Sequence, residues 1–285
     1  MTEPGRPTRR SALAAIATAF LAACTRTGRR TPWAVGTAAD SAAGSAPVGS
    51  GSAGPGQPAS ALPSTPARVA APANSRTPAA GNARPRGPAR FVAAGPRSGT
   101  AVALTFHGAG DPAIAESLMR TAEAAGAALT VFAVGQWLAA QPQLAARIAR
   151  GGHELANHTW SHPSLGRLGS ARVDAEIKRC RDEIDRHGGT HRWFRPSAMR
   201  VPTALVLARA GAAGYRTVVG FDVDTLDFTD PGAAAIRRAA RSARAGSIVS
   251  LHFGHPGTVA ALPAILADLK SRGLTAVTVS ALLPT

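Results

Sequence analysis

Cysteine, lysine and tyrosine are almost missing from this 285-residue chain, which holds two Cys, one Tyr and, among 32 basic residues, two Lys. Two cysteines exclude the disulfide framework of a small secreted scaffold. The apolar run near the start, SALAAIATAFLAA at 11–23, has 13 residues, whereas a membrane-spanning helix needs about 20. Aromatic residues make up 5% of the chain and are thinnest at 25–94, where Trp33 and Phe91 stand alone among Ala, Pro, Gly, Ser and Thr. So little apolar bulk cannot offset the entropy of ordering, and residues 24–94 read as a disordered linker. Acidic residues are scarce in the same half: two against 12 Arg over residues 1–100, and 14 against 20 Lys plus Arg over the rest. The formal charge of +16 is therefore carried mostly by a tail with no RNA- or DNA-binding motif beside it. That distribution suits an anionic membrane surface or cell-wall polymer and argues against a nucleic-acid partner.

What the N-terminus does contain is an export signature. MTEPGRPTRR is a basic leader, the 13-residue run suits the apolar region of a signal peptide, and LAAC at 21–24 resembles the lipobox of bacterial lipoproteins. The paired arginines of TRRSALA (8–14) suggest the twin-arginine route. The expected organisation is a signal peptide at 1–23, a lipidated Cys24 with the linker at 24–94, and a catalytic domain at 95–285. Such a chain sits at the outer face of the cell membrane as a lipoprotein, or is secreted; several acyl chains on Cys24 would tether it firmly. Cys180 is then the lone thiol. In SARVDAEIKRCRDEIDRHG it shares one helical face with Val173, Ile177 and Ile184, which makes it a core residue.

Residues 95–285 hold all eight histidines and 14 of the 16 acids. Short β-rich runs alternate there with helical ones. AVALTF (101–106), LTVFAV (129–134), HELANH (153–158), RWF (192–194), TVVGF (217–221), SIVSL (247–251) and AVTV (276–279) are separated by Ala-rich helices. The first helix is predicted over about 112–126, with Pro112 in its first turn. Repeated strand–helix–strand units signify a parallel α/β fold, whose active groups gather at the carboxyl ends of the strands. Ionisable residues stand at five such ends: His107, then His158 and His162, then Arg195, then Asp222, Asp224 and Asp227, then His252. A barrel would bring them around one mouth. His153, His187 and His191 read as surface or loop residues.

NHTWSH (157–162) spaces His158 and His162 four apart. Two imidazoles at that spacing can hold zinc or a similar divalent ion at about 2.0–2.1 Å per nitrogen. A catalytic site needs a third protein ligand and an open position for a water, whose pKa the metal lowers.

The segment from about 100 to 282 resembles the polysaccharide deacetylases with a NodB-type homology domain. HTWSH (158–162) matches that family's second motif, Arg195 in FRPSAM its third, Asp224-Thr225-Leu226-Asp227-Phe228 its fourth with Phe for Trp, and His252 in SLHFG its fifth. The resemblance implies a distorted (β/α) barrel and a metal-dependent hydrolase that removes N-acetyl or O-acetyl groups from an acetylated polysaccharide. It implies that His158 and His162 bind a divalent metal such as zinc, that His252 is the general acid with Asp227 stabilising its protonated form, and that Arg195 orients and biases the base.

One motif departs from the pattern. The family's first motif, T-F-D-D-G, supplies a base and then a metal ligand; here the chain reads Thr105-Phe106-His107-Gly108, followed by Ala109, Gly110 and Asp111. In one account His107 is the base and Asp111, swung in by the glycine loop, completes the metal site; that is the expectation adopted for this sequence. In a second, His107 is itself the third ligand and Asp111 caps the helix opening at Pro112. A third keeps glycan binding without hydrolysis. A metal-dependent amidase acting on a non-sugar substrate is a further alternative.

Overall fold

The computed structural model describes residues 87–189 and 191–283. The expected signal peptide, Cys24 and the linker as far as residue 86 lie outside the described residues. Among the described residues no helix is long and apolar enough to cross a membrane.

Nine strands, all parallel where they pair, form one curled sheet. They are β1 (Arg90–Val92), β2 (Ala101–Gly108), β3 (Thr130–Ala133), β4 (Glu154–Asn157), β5 (Trp193–Phe194), β6 (Thr217–Val219), β7 (Val223–Asp224), β8 (Ile248–His252) and β9 (Thr275–Val277). Their order is β1-β6-β5-β4-β3-β2-β8-β7, with β9 also on β2. An antiparallel bridge from Ala94 to Ser247, with Gly95 N–H donating to Gly246 O, ties the β1 edge back to β8. The helices α1 (Pro112–Ala124), α2 (Gly135–Ala140), α3 (Pro142–Arg150), α4 (Ser170–Arg186), α5 (Ala204–Ala212), α6 (Ala233–Ala240) and α7 (Pro256–Ser271) fall between strands, and α8 (Val279–Leu282) ends the domain. The expected distorted (β/α) barrel is the fold observed.

Side-chain alternation along the strands decides what reaches the mouth. In β2, Val102, Leu104 and Phe106 point outward into the apolar layer with α1 and α7, whereas Ala103 points inward with Phe132, Ala156, Trp193, Val219 and Ile248. Successive side chains alternate faces, so Ala103, Thr105 and His107 form one inward column. Ile248, Ser250 and His252 form another on β8, and Ala156 leads to His158 and Trp193 to Arg195 in the same way. The strands read as continuous apolar runs because both faces are covered. Val279 and Leu282 of α8 plug the amino end of the barrel. There Glu154 accepts from Trp193 Nε1 at 2.8 Å and Thr130 Oγ1 at 2.9 Å.

Three local expectations need correction. Residues 90–92, read as linker, form β1 in register with Thr217–Val219; Ala89 is buried, and Phe91 packs beside the cluster of Phe194, Val206, Tyr215 and Val218. A three-residue edge strand flanked by Pro88 and Pro96 is too short for periodicity to reveal. β7, two residues long, escaped for the same reason. His153 is buried rather than exposed: its Nδ1 accepts from Leu129 N–H at 3.2 Å, and its Nε2 lies 3.4 Å from Glu123. Cys180 is fully buried on α4 beside Val173, Ile177 and Ile184, as its helical face requires.

If 87–94 belongs to the folded domain, Phe91→Ala should lower stability by about 1–3 kcal/mol, less than the loss for a fully buried Phe. Urea denaturation measures this; an unchanged midpoint would return the segment to the linker.

Candidate functional site

Four strand ends meet at the mouth. The β2–β8 register pairs His107 with His252, and the β2–β3–β4 ladder aligns Gly108, Ala133 and Asn157, so that His158 follows beside them. The ring centroids of His107 lie 4.2 Å from those of both His158 and His252, and those of His158 and His162 are 4.9 Å apart. His107, His158 and His162 each offer a ligand nitrogen within 4.8 Å of the others. The Nε2 atoms of His107 and His158 are sealed from solvent and have no hydrogen-bond partner among the described residues. Buried polar atoms are seldom left unpaired without a function or an absent ion. His158 Nδ1–H donates to Arg195 O at 2.8 Å, which leaves Nε2 as the lone-pair nitrogen, as in histidines that ligate metals.

Electrostatics keep these imidazoles neutral. Burial first, then the neighbouring imidazoles and Arg195, push His107 well below the ordinary histidine range. Burial and His162 do the same for His158, and burial lowers His162. Neutral imidazole is the ligating form, and three nitrogen donors around a confined space fit a divalent ion of the zinc class.

The loop carrying His158 and His162 is strained. Thr159 at φ 69° and His162 at φ 55° lie in the left-handed region, which costs on the order of 1–3 kcal/mol for each such residue. Asn157 Oδ1 accepts from Thr159 N–H at 2.9 Å. The N–H groups of Gly135 and Gln136, at the start of α2, donate to Thr159 O and Trp160 O at 2.9 Å. Ser197, after β5, accepts from Thr159 Oγ1 at 3.1 Å and donates to Pro163 O.

His252 is paired with a buried carboxylate. Its Nδ1–H donates to Asp227 Oδ1 at 2.7 Å, while Asp227 Oδ2 accepts from His252 N–H at 2.8 Å and Thr258 Oγ1 at 2.7 Å. Burial alone would raise the fully buried Asp227 carboxyl, but the bonds from His252 and Thr258 outweigh it and hold the group below the usual carboxylate range. Phe228, half exposed, sets its ring 5.2 Å from that of His252.

Arg195 lies beneath the mouth. Its guanidinium donates to Thr105 Oγ1 at 2.9 Å, Gly220 O at 3.0 Å and Val219 O at 3.2 Å, and stands 4.0 Å over Phe132. Burial brings its pKa down to about 9. Its side chain makes no hydrogen bond to His107 among the described residues; it acts on that ring through its charge.

Asp111 stands apart from this cluster. The carboxylate is exposed at the N-cap of α1 and accepts from Ala113 N–H at 2.8 Å. The glycine loop does not swing it inward, because Gly110 is pinned: Trp137 Nε1 donates to its carbonyl at 2.8 Å, and a Cβ there would meet Gly254 Cα at 2.7 Å. Gly108 is equally confined, since a Cβ would lie 2.9 Å from Val131 Cγ1 and 3.0 Å from Ala133 Cα. The position that holds the second acid in the T-F-D-D-G pattern thus has no room for a side chain. Of the seven expected site residues, six converge and Asp111 does not.

Sequence reasoning missed Asn157, Glu176 and Thr258, which hold site residues from neighbouring elements. It also left aside His255, whose ring is 6.1 Å from that of His252 and whose Nδ1 pairs with Asp230 at 2.9 Å. The repeat of three residues in both 252/255 and 227/230 was the available signal for that second pair.

Comparison with known proteins follows the same line. The sequence profile described as "Polysaccharide deacetylase" matches residues 94–218. A peptidoglycan-N-acetylglucosamine deacetylase of Bacillus cereus is 31% identical over 193 residues, 66% of this chain and 90% of that protein. A chitooligosaccharide deacetylase of Sinorhizobium fredii is 32% identical over 203 residues, 62% of this chain and 91% of the relative. Among solved structures, the Bc1960 peptidoglycan N-acetylglucosamine deacetylase superposes with a TM-score of 0.65 at 26% identity, over 69% of this chain and 94% of that one.

The neutral imidazoles have a measurable consequence. Below pH 6.5, the ordinary histidine value, the unfolded chain binds protons that folded His107 and His158 refuse. Stability is then lost as pH falls towards their folded values, by up to about 1.4 kcal/mol per pH unit for each group. Denaturation midpoints recorded with chelator present should decline as pH is lowered, and His158→Ala should flatten the decline; equal slopes in both proteins would contradict the assignment of a neutral His158.

Proposed function

The chain belongs to the polysaccharide deacetylase family, and from that premise we propose that it is an exported, metal-dependent hydrolase that removes acetyl groups from the N-acetyl sugars of a cell-envelope polysaccharide. The observation that carries this reading is the convergence of His107, His158 and His162 beside the His252–Asp227 pair. Those three imidazoles would hold the ion. When bound, it supplies Lewis-acid polarisation of the acetyl carbonyl and of the attacking water.

The chain's own residues account for the proton transfers. With His107 in the ligand set and Gly108 bare, His252 is the imidazole of the cluster left to move protons. Asp227 fixes its Nδ1–H, so Nε2 takes the proton of the attacking water and returns it to the departing amine. The ionised Asp227 stabilises the imidazolium in between. Arg195 adds to the burial that keeps His107 neutral and orients His158 through its backbone carbonyl. Phe228 offers an apolar face at the rim for the sugar. LAAC at 21–24 behind a basic leader supports anchoring through a lipidated Cys24 at the outer membrane face.

Metal content and acetate release from N-acetylglucosamine oligomers and peptidoglycan test the reading. His158→Ala and His107→Ala should lose both metal and release. His252→Ala should keep the metal and lose about 10²-fold or more in rate. Asp111→Ala should keep metal and activity, at a cost of about 1 kcal/mol in stability from the lost cap. Wild-type protein that carries metal, binds the oligomers and releases no acetate would replace this reading with the glycan-binding one, which the loss of both acids from the first motif favours. Cys24→Ala should move the full chain from the membrane fraction to the soluble one.

A further inference from the structure

Among the elements that hold the strained 157–162 loop, α4 meets it at three residues. From α4, Ile177 O accepts from Asn157 Nδ2 at 2.9 Å, and the Arg179 guanidinium lies 3.8 Å over the Trp160 ring. Glu176, adjacent to Ile177 and three residues before Arg179, takes both hydrogen-bond donors of Ser161: Oε2 accepts the N–H and Oε1 the hydroxyl, each at 2.8 Å. Asn157, Trp160 and Ser161 thus each meet α4, and Ser161 immediately precedes His162.

Glu176 is 3% exposed, and Arg172 approaches it only to 3.6 Å. A carboxylate so far from water is unfavourable unless its oxygens are hydrogen-bonded, and both oxygens here are given to a single residue. The two metal-site histidines of the loop are placed differently. His158 is oriented by its own ring, through Arg195 O. His162, the exposed member of the triad, is placed by its backbone at φ 55°, a conformation uncommon for any non-glycine residue and kept only where surrounding structure holds it.

We propose that Glu176 is a positioning residue of the metal site, an inference that rests on the metal-site reading above: by holding both the N–H and the hydroxyl of Ser161, it fixes His162 in the left-handed conformation that brings its imidazole to His107 and His158. Glu176 touches neither substrate nor metal and acts through Ser161 alone. Outer partners of this kind govern metal affinity as well as fold.

The test compares the full chain with its Glu176→Ala and Glu176→Gln variants. Zn²⁺ and Co²⁺ affinities are measured by chelator competition, together with the visible spectrum of the Co²⁺ forms and thermal melts of the metal-free proteins. Glu176→Ala should bind both ions about 10–100-fold more weakly, with an altered Co²⁺ spectrum. Glu176→Gln should recover the wild-type spectrum and most of the affinity, because its amide oxygen still accepts from Ser161 N–H and its NH₂ can donate to the Ser161 hydroxyl. If Glu176→Ala does not fold, Ser161→Ala carries the test: it keeps the backbone bond, loses the hydroxyl, and should bind Co²⁺ several-fold more weakly in a protein that still folds, its melting temperature lowered by the unpaired carboxylate oxygen. A folded Glu176→Ala, or in its place Ser161→Ala, with wild-type affinity and spectrum would reduce Glu176 to a staple between loop and helix. Wild-type protein that binds neither ion would overturn the metal-site reading and this inference together.

Discussion

The parallel register of β2 against β8 is the constraint on which the rest of the site depends. It sets His107 opposite His252 and, through the period-two alternation of strands, turns both rings inward above Thr105 and Ser250. A slip of one residue would send the imidazole of the displaced strand into the apolar layer with α1 and α7 and bring Phe106 or Leu251 to the mouth in its place. The outward faces forbid this: Val102, Leu104, Phe106, Val249 and Leu251 are fully buried there. Hydrophobic packing on the outside of the barrel thus fixes polar geometry on the inside.

A second layer of constraint acts on the loops, where strand alternation no longer governs direction. Thr159 and His162 are held in left-handed backbone by partners from α2, β4, α4 and the segment after β5. Backbone strain of this kind persists only when surrounding structure over-determines it. The same enclosure that holds the loop also removes water from the rings, and burial is the largest influence keeping His107 and His158 unprotonated. Support and electrostatics are two results of one packing arrangement.

That origin explains what the sequence revealed and what it hid. Runs such as AVALTF and SIVSL announce buried parallel strands, and the ionisable residue that follows each run marks its carboxyl end, so His107, His158, Arg195 and His252 were legible. Asp227 was legible through its motif. β1 and β7 were not, because two or three residues carry no periodicity and their assignment depends on a partner strand far along the chain. Asp111 was misplaced for a related reason: a glycine-rich loop looks free in sequence, whereas Gly110 is clamped between Trp137 and Gly254. Glu176 and Thr258 sit on helices, where a single acid or hydroxyl has no pattern to mark it, and only tertiary contact reveals their partners.

The departure at positions 107 and 108 is coherent when its charges are followed. An aspartate at 107 would be held ionised by the buried Arg195 guanidinium, since a nearby cation favours the charged carboxylate. The same cation beside an imidazole disfavours protonation, and it contributes to the depressed state of His107. The arginine that would hold a carboxylate ionised thus adds to the burial that keeps a histidine neutral, the form that the proposed metal site requires. Gly108, whose surroundings leave no space for a Cβ, cannot supply the ligand that the family pattern places there, and His107 offers one from the preceding residue. On this reading the ligand has moved back by one position and the proton transfers have moved to His252, whose Asp227 partner is already ionised and buried beside it. Under that proposal, the two acids missing from the first motif remove a separate base while the three imidazoles and the His252–Asp227 pair remain.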